Sequence, residues 1–250
     1  MGMVLILALN ACLPVLPTQA IPTQIQEFPT ITASSTPTII WFPSTPTSTK
    51  PVTPSPIAPT LAPPPAVGNL IFKDDFTNHS IWTSGQSAAG IIAYGIGELD
   101  LAISLPHGVL ISQRTEPVLT DFYLEVSAAP SLCLNADNYG IQFRMSSPND
   151  FYRYVISCQG KIRLERLKGG VGQVLLDWTG SAQALPNSSG TYQLGIWMNG
   201  TDLKLYLNSV LQFSTEDSSL SSGGLGLFDR SMGDNPVTVG FSNLVVYQPG

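Results

Sequence analysis

The chain is poor in the residues that most reaction chemistry needs. It holds two histidines, His79 and His107, and three cysteines. Two histidines cannot build a histidine-rich metal cluster, and a Ser-His-acid triad would have to rest on one of them. Lys and Arg total 11 against 17 Asp and Glu, a net charge of −6, and the basic residues form no run tighter than the scattered Lys161, Arg163, Arg166 and Lys168. Binding to phosphate backbones needs a concentrated positive face, so this balance argues against a nucleic-acid partner. Nucleotide fingerprints are missing as well, because Gly95-Ile96-Gly97 and Gly170-Val171-Gly172 neither open a helix nor complete the spacing. Gly85-Gln86-Ser87-Ala88-Ala89 lacks the second glycine of a nucleophile elbow. Beyond Leu70 no helical period persists for more than two turns.

What is abundant is proline, and it is concentrated. Residues 13–68 carry fourteen of the 21 prolines, many Ser and Thr, and only two charges, Glu27 and Lys50. Segments such as Pro43-Ser44-Thr45-Pro46-Thr47 and Pro63-Pro64-Pro65 remove backbone donors and block helix, so the stretch is expected to be a disordered, semi-rigid stalk with no core. Extended at about 3.1 Å per residue, a spacer of this length reaches roughly 150 Å. Before it, Met3 to Leu9 is uniformly apolar and runs into Leu9-Asn10-Ala11-Cys12. Pro14 and Pro17 interrupt the stretch before the ~20 apolar residues of a membrane span are reached. Residues 1–12 resemble a bacterial lipoprotein signal ending at Cys12, which implies an acylated Cys12 and a protein anchored on the outer face of the cell membrane. A secretory signal with an incidental cysteine is the alternative.

Residues 69–250 suffice for one domain with a substantial core. Lipidation of Cys12 leaves Cys133 and Cys158 as a pair, and a hairpin between their strands brings them within reach of a disulfide. Apolar residues recur with period two in short runs bounded by turn signals: Tyr139 to Met145, Phe151 to Cys158, Lys161 to Leu167, Tyr192 to Met198, Leu203 to Leu207, Gly224 to Phe228 and Val237 to Tyr247. Gln159-Gly160 and Asn199-Gly200-Thr201-Asp202 read as hairpin turns. Roughly a dozen such strands predict an all-β, antiparallel two-sheet jelly-roll sandwich.

Five segments carry a resemblance: Tyr139-Gly140-Ile141-Gln142-Phe143-Arg144, Asp150-Phe151-Tyr152-Arg153-Tyr154, Leu203-Lys204-Leu205-Tyr206-Leu207-Asn208, Gly224-Leu225-Gly226-Leu227 and Phe241-Ser242-Asn243-Leu244-Val245-Val246. Together they resemble successive strands of concanavalin A-like lectin, laminin-G and glucanase domains, near the keto-disaccharide hydrolase-like branch. Glucanases of this superfold pair a Glu-(Ile/Leu)-Asp strand with a second glutamate shortly after. Here Glu98-Leu99-Asp100-Leu101 is followed by Ala102 and Ile103, so the acid/base partner is missing and no catalytic residue is assigned. The resemblance also implies a possible structural calcium at Asp74 and Asp75; a surface carboxylate pair is the plainer reading, and no cofactor is expected.

Period two also sorts the faces. With Ile141, Phe143 and Met145 inward, Gln142 and Arg144 point outward; Arg153 on the next strand, Arg163 on the third, Trp197 beside Leu194 and Ile196, and Lys204 and Tyr206 between Leu203 and Leu207 do likewise. If these strands share one sheet, its outer face presents two exposed aromatics among arginines, lysine and amides, a mixture suited to a glycan. The expectation is a monomeric, non-catalytic, carbohydrate-binding lipoprotein. A hydrolase with an atypical site and a structural or protein-interaction module are the alternatives.

Overall fold

The computed structural model describes residues 66–187 and 189–250. Cys12, the expected signal segment and nearly all of the expected stalk lie outside the described residues. The described chain forms fifteen strands and no helix. The first seven are β1 (Val67–Asp74), β2 (Gly85–Gln86), β3 (Gly90–Tyr94), β4 (Glu98–Ile103), β5 (Val109–Leu119), β6 (Phe122–Leu132) and β7 (Asn138–Ser147). Then come β8 (Asp150–Ser157), β9 (Lys161–Lys168), β10 (Val171–Gly180), β11 (Tyr192–Asn199), β12 (Asp202–Leu207), β13 (Val210–Glu216), β14 (Gly223–Arg230) and β15 (Val237–Pro249). β1 begins at Val67, two residues ahead of the expected domain boundary at Asn69.

All pairings are antiparallel, and the strands make two sheets. One has nine strands, ordered β13-β12-β11-β6-β15-β4-β3-β2 with β1 also on β15; the other has six, ordered β10-β9-β8-β7-β14-β5. The anticipated sandwich is therefore present.

The core follows directly from the alternation. Leu99, Leu101 and Ile103 of β4, Leu124 and Val126 of β6, and Leu194, Ile196 and Met198 of β11 meet Ile141 and Phe143 of β7, Tyr152 and Tyr154 of β8, and Ile162 and Leu164 of β9 in one buried cluster. Each fully buried side chain of this size contributes about 1.5–3 kcal/mol. Two hairpins form where the sequence places them: Gly160 and Gly200 both have positive φ, at 75° and 57°, as tight connections require. Cys133 and Cys158 are disulfide-bonded, with Cα atoms 5.7 Å apart. They follow the ends of β6 and β8, so the bridge ties one sheet to the other.

The topology corrects one expectation outright. Gln142, Arg144, Arg153 and Arg163 belong to the six-stranded sheet, whereas Trp197, Lys204 and Tyr206 belong to the nine-stranded one. Apart from Arg144, which turns inside, both sets face away from the core as the period predicts, but on opposite sides of the sandwich. A single face built from all seven does not exist. The reason is that β11 pairs with β6 and β12, never with β9, although β9 and β11 lie close in sequence.

Candidate functional site

Three rows of cross-strand neighbours organise the outer face of the six-stranded sheet. The first runs Arg230, Asn138, Ser157; the second Phe228, Gly140, Val155, Arg163; the third Gly226, Gln142, Arg153, Glu165. Two glycines shape it. A Cβ on Gly140 would lie 2.0 Å from the Tyr154 carbonyl oxygen, so only glycine lets β7 and β8 approach there, and the middle row has no side chain at its centre. A Cβ on Gly226 would lie 2.9 Å from Oε1 of Gln142, which fills that space.

The result is a basin of about 170 Å³ lined by Asn138, Arg163, Glu165, Trp178, Arg230 and their neighbours. Trp178, half-buried on edge strand β10, stands as one wall, with the Arg163 guanidinium carbon 5.6 Å from its ring centre. β10 carries irregular register on both sides of Leu176, which re-aims this end of the strand. Phe228 is fully buried although it faces outward, because the guanidiniums of Arg153 and Arg230 cover its ring at 4.3 and 5.3 Å. Such cation–π contacts contribute about 0.5–2 kcal/mol each and hold the guanidiniums in place.

The charges are uneven. Glu165 accepts from Nε and Nη2 of Arg153, the Nε bond at 2.6 Å, and lies 3.8 Å from Nη2 of Arg163. No carboxylate among the described residues pairs with Arg230. Burial, with the nearby Arg153 charge, lowers the Arg230 proton affinity; Glu165 works against this and Arg163 with it. Nε of Arg163 is buried without a hydrogen-bond partner, as is Nε2 of Gln142. Unspent donors at a hollow are what a polar ligand requires, since each one left unsatisfied costs about 1–3 kcal/mol.

Of the residues expected in a binding face, Arg163 lines this basin, and Arg153 and Gln142 lie in the neighbouring row beside it. Arg144 does neither. It sits at a bulge with φ of 45°, is 1% exposed, and donates to the backbone carbonyls of Thr120, Leu220 and Gly200, at 2.7–3.1 Å, and to Asp121 at 3.3 Å. It is an internal clamp, and the expected outward Arg144 is a correction.

Trp197 and Tyr206 need a correction too. They are only 7% and 3% exposed, packed with Tyr123 and flanked by Leu211 and Tyr247, and the Lys204 ammonium lies 4.3 Å above the Trp197 ring. A second aromatic layer stabilises them outside the core, which strand alternation alone cannot reveal. Conversely, Phe228, Arg230 and Trp178 were not anticipated. The signal for the first two was in plain view: with Leu225 and Leu227 inward, Gly226, Phe228 and Arg230 must face out.

Asp74 spends both oxygens on protein donors, the Phe76 amide at 2.9 Å, the Trp82 indole at 2.9 Å and Arg114, while Asp75 accepts from Thr77. This leaves the pair poorly suited to a calcium ion. No grouping of His, Cys, Asp and Glu among the described residues has the geometry of a metal site. A larger hollow of about 320 Å³ lies between Pro130–Leu134 and Asn235-Pro236, but none of its described lining residues is charged.

Comparison with known proteins defines the class through the fold. Neither the available family models nor the curated proteins match the sequence. Solved structures do. The carbohydrate-binding module CBM66 from Bacillus subtilis is similar at 18% identity over 68% of this chain and 98% of its own, with a TM-score of 0.53. The catalytic domain of an endo-1,3-beta-glucanase (laminarinase) from Thermotoga petrophila is similar at 10% identity over 72% and 98%, with a TM-score of 0.55. The Bacillus licheniformis beta-glucanase is similar at 13% identity over 73% and 99%, with a TM-score of 0.52. The sandwich is thus a concanavalin A-like jelly roll, as the strand motifs suggested.

Proposed function

We propose that this protein is a non-catalytic glycan-binding module and that the basin on the six-stranded sheet is its binding site. The observation that carries the reading is the apposition of Trp178 and Arg163 across a hollow that also offers Asn138 and Arg230. An aromatic face accepts the C–H patch of a sugar ring while planar guanidinium and amide donors reach its hydroxyls. The same fold serves a carbohydrate-binding module and glucanases, which is compatible with this use. The basin's one carboxylate, Glu165, is held by Arg153, so it provides no pair of separate acid and nucleophile groups for glycoside hydrolysis.

The test is a glycan array probed with the full chain, followed by titration calorimetry of the best binder. Trp178→Ala should weaken that binder about tenfold or more, since aromatic contacts of this type are among the strongest single contributions to an interface. An array without a hit, or a hit indifferent to Trp178, would remove the proposal.

We further propose that the sandwich is presented from the cell membrane by the stalk of residues 13–68, anchored through acylated Cys12. The support is the apolar run before Cys12 and the proline density after it. Mass spectrometry of the membrane-extracted protein should find acyl chains on Cys12; an intact N-terminus would sink this part alone.

A further inference from the structure

The six arginines of the described residues divide into two kinds. Arg114 has Asp74, Arg144 has Asp121 and Arg166 has Asp217 as its own carboxylate. Arg153 and Arg163 share one, Glu165, and Arg230 pairs with none among the described residues, so that Lys161, Arg163 and Arg230 line a single hollow against one carboxylate. In a chain of net charge −6 this is a local reversal of sign.

Resting on the glycan reading above, we propose that the basin selects acidic sugars, taking a carboxylate or sulfate group against Arg163 and Arg230 while the ring lies on Trp178. Three points support it. Glu165 gives one oxygen to two donors of Arg153 and its other lies 3.8 Å from Arg163, so one carboxylate serves two arginines and Arg230, which lines the basin with Arg163, has none. The Nε of Arg163 is buried and unpartnered, and a guanidinium edge with unspent N–H groups matches the paired oxygens of a carboxylate or sulfate. Finally, like charges held close raise the energy of the empty site, and a bound anion relieves that repulsion where a neutral sugar does not. Stacking on Phe228 keeps Arg230 and Arg153 from swinging away into solvent, which preorganises the site.

The experiment titrates the full chain with four probes: oligogalacturonate, a sulfated galactan, a neutral galactan and poly-glutamate. At least one acidic sugar should bind about tenfold or more tightly than the neutral galactan, and which of the two wins identifies the anion. Arg163→Gln and Arg230→Gln should each remove about tenfold or more of that affinity, whereas Lys204→Gln on the opposite sheet should change nothing. Binding of the acidic sugar should also weaken as salt is raised. Equal or tighter binding of the neutral galactan overturns the acidic preference while leaving glycan binding in place. Poly-glutamate bound as tightly as the sugars overturns the sugar requirement instead, and no binding to any glycan overturns both readings. Should either glutamine variant fail to fold, the wild-type comparison of acidic and neutral galactans still decides the matter.

Discussion

The two outer faces of this sandwich are made from similar residues and behave in opposite ways. On the nine-stranded sheet, Trp197, Tyr123 and Tyr206 close over one another, Lys204 caps Trp197, and Glu125 accepts from both the Tyr123 hydroxyl and Nε2 of Gln193. Burial raises the affinities of the Tyr123 and Tyr206 phenols for their protons. On the six-stranded sheet, aromatics and cations frame a hollow with donors left over. An outward-facing aromatic is therefore weak evidence for a ligand. Unspent hydrogen-bonding capacity at a concave place is stronger evidence, because the chain has stabilised it with nothing of its own.

The comparison can be broken first at Arg144, where the two faces and the interior differ most. Arg144→Met should destabilise the domain by about 3–5 kcal/mol, since it strands backbone carbonyls of Thr120, Leu220 and Gly200. Denaturant unfolding checks this, and a loss below about 1 kcal/mol would show the clamp to be unimportant. Reduction of the Cys133–Cys158 bridge should cost roughly 3 kcal/mol, given the 25-residue separation it closes. Trp197→Ala comes next: about 1–3 kcal/mol of stability lost and glycan affinity unchanged. Trp178→Ala should do the reverse, moving stability by less than about 0.5 kcal/mol while weakening the ligand.

A fourth contrast lies inside the sandwich. Asp229 faces the core with neither oxygen hydrogen-bonded at normal geometry. Burial pushes its carboxyl well above the usual range, against the Arg230 amide and aided by the Asp137 charge. The folded state thus holds this proton more tightly than the unfolded chain does. The group's contribution to stability is fully present below about pH 4 and is lost as the pH rises through the folded value. Asp229→Asn should flatten that decline and raise the melting temperature at neutral pH; an unchanged pH profile would show that Asp229 is ionised in the fold.

Much of this was legible in the chain itself, for a physical reason: side-chain direction in a strand is a local property. The inward and outward sets of β7, β8, β9, β11 and β12 follow from alternation alone, with Arg144 the exception because a positive-φ residue breaks the alternation. The hairpins at Gln159-Gly160 and Asn199-Gly200 were likewise local. Sheet membership is not. It depends on pairings such as β6 with β11 and β7 with β14, between residues far apart in sequence, and no short window contains them. That is why Arg153 and Trp197 were expected side by side and lie on opposite faces. Trp178 was missed for a different reason, since its strand is interrupted by irregular register that hides the period.

β15 also imposes an order in time. It is the last of the fifteen strands to be synthesised, yet it lies at the middle of the larger sheet, pairing with β6, β4 and β1. Until it emerges, β4 and β6 have no shared partner and the larger sheet is divided in two, with both inner edges open to pairing with other chains. Such a nascent chain can form hairpins but not the finished sandwich, so it is at its most vulnerable to aggregation until β15 pairs.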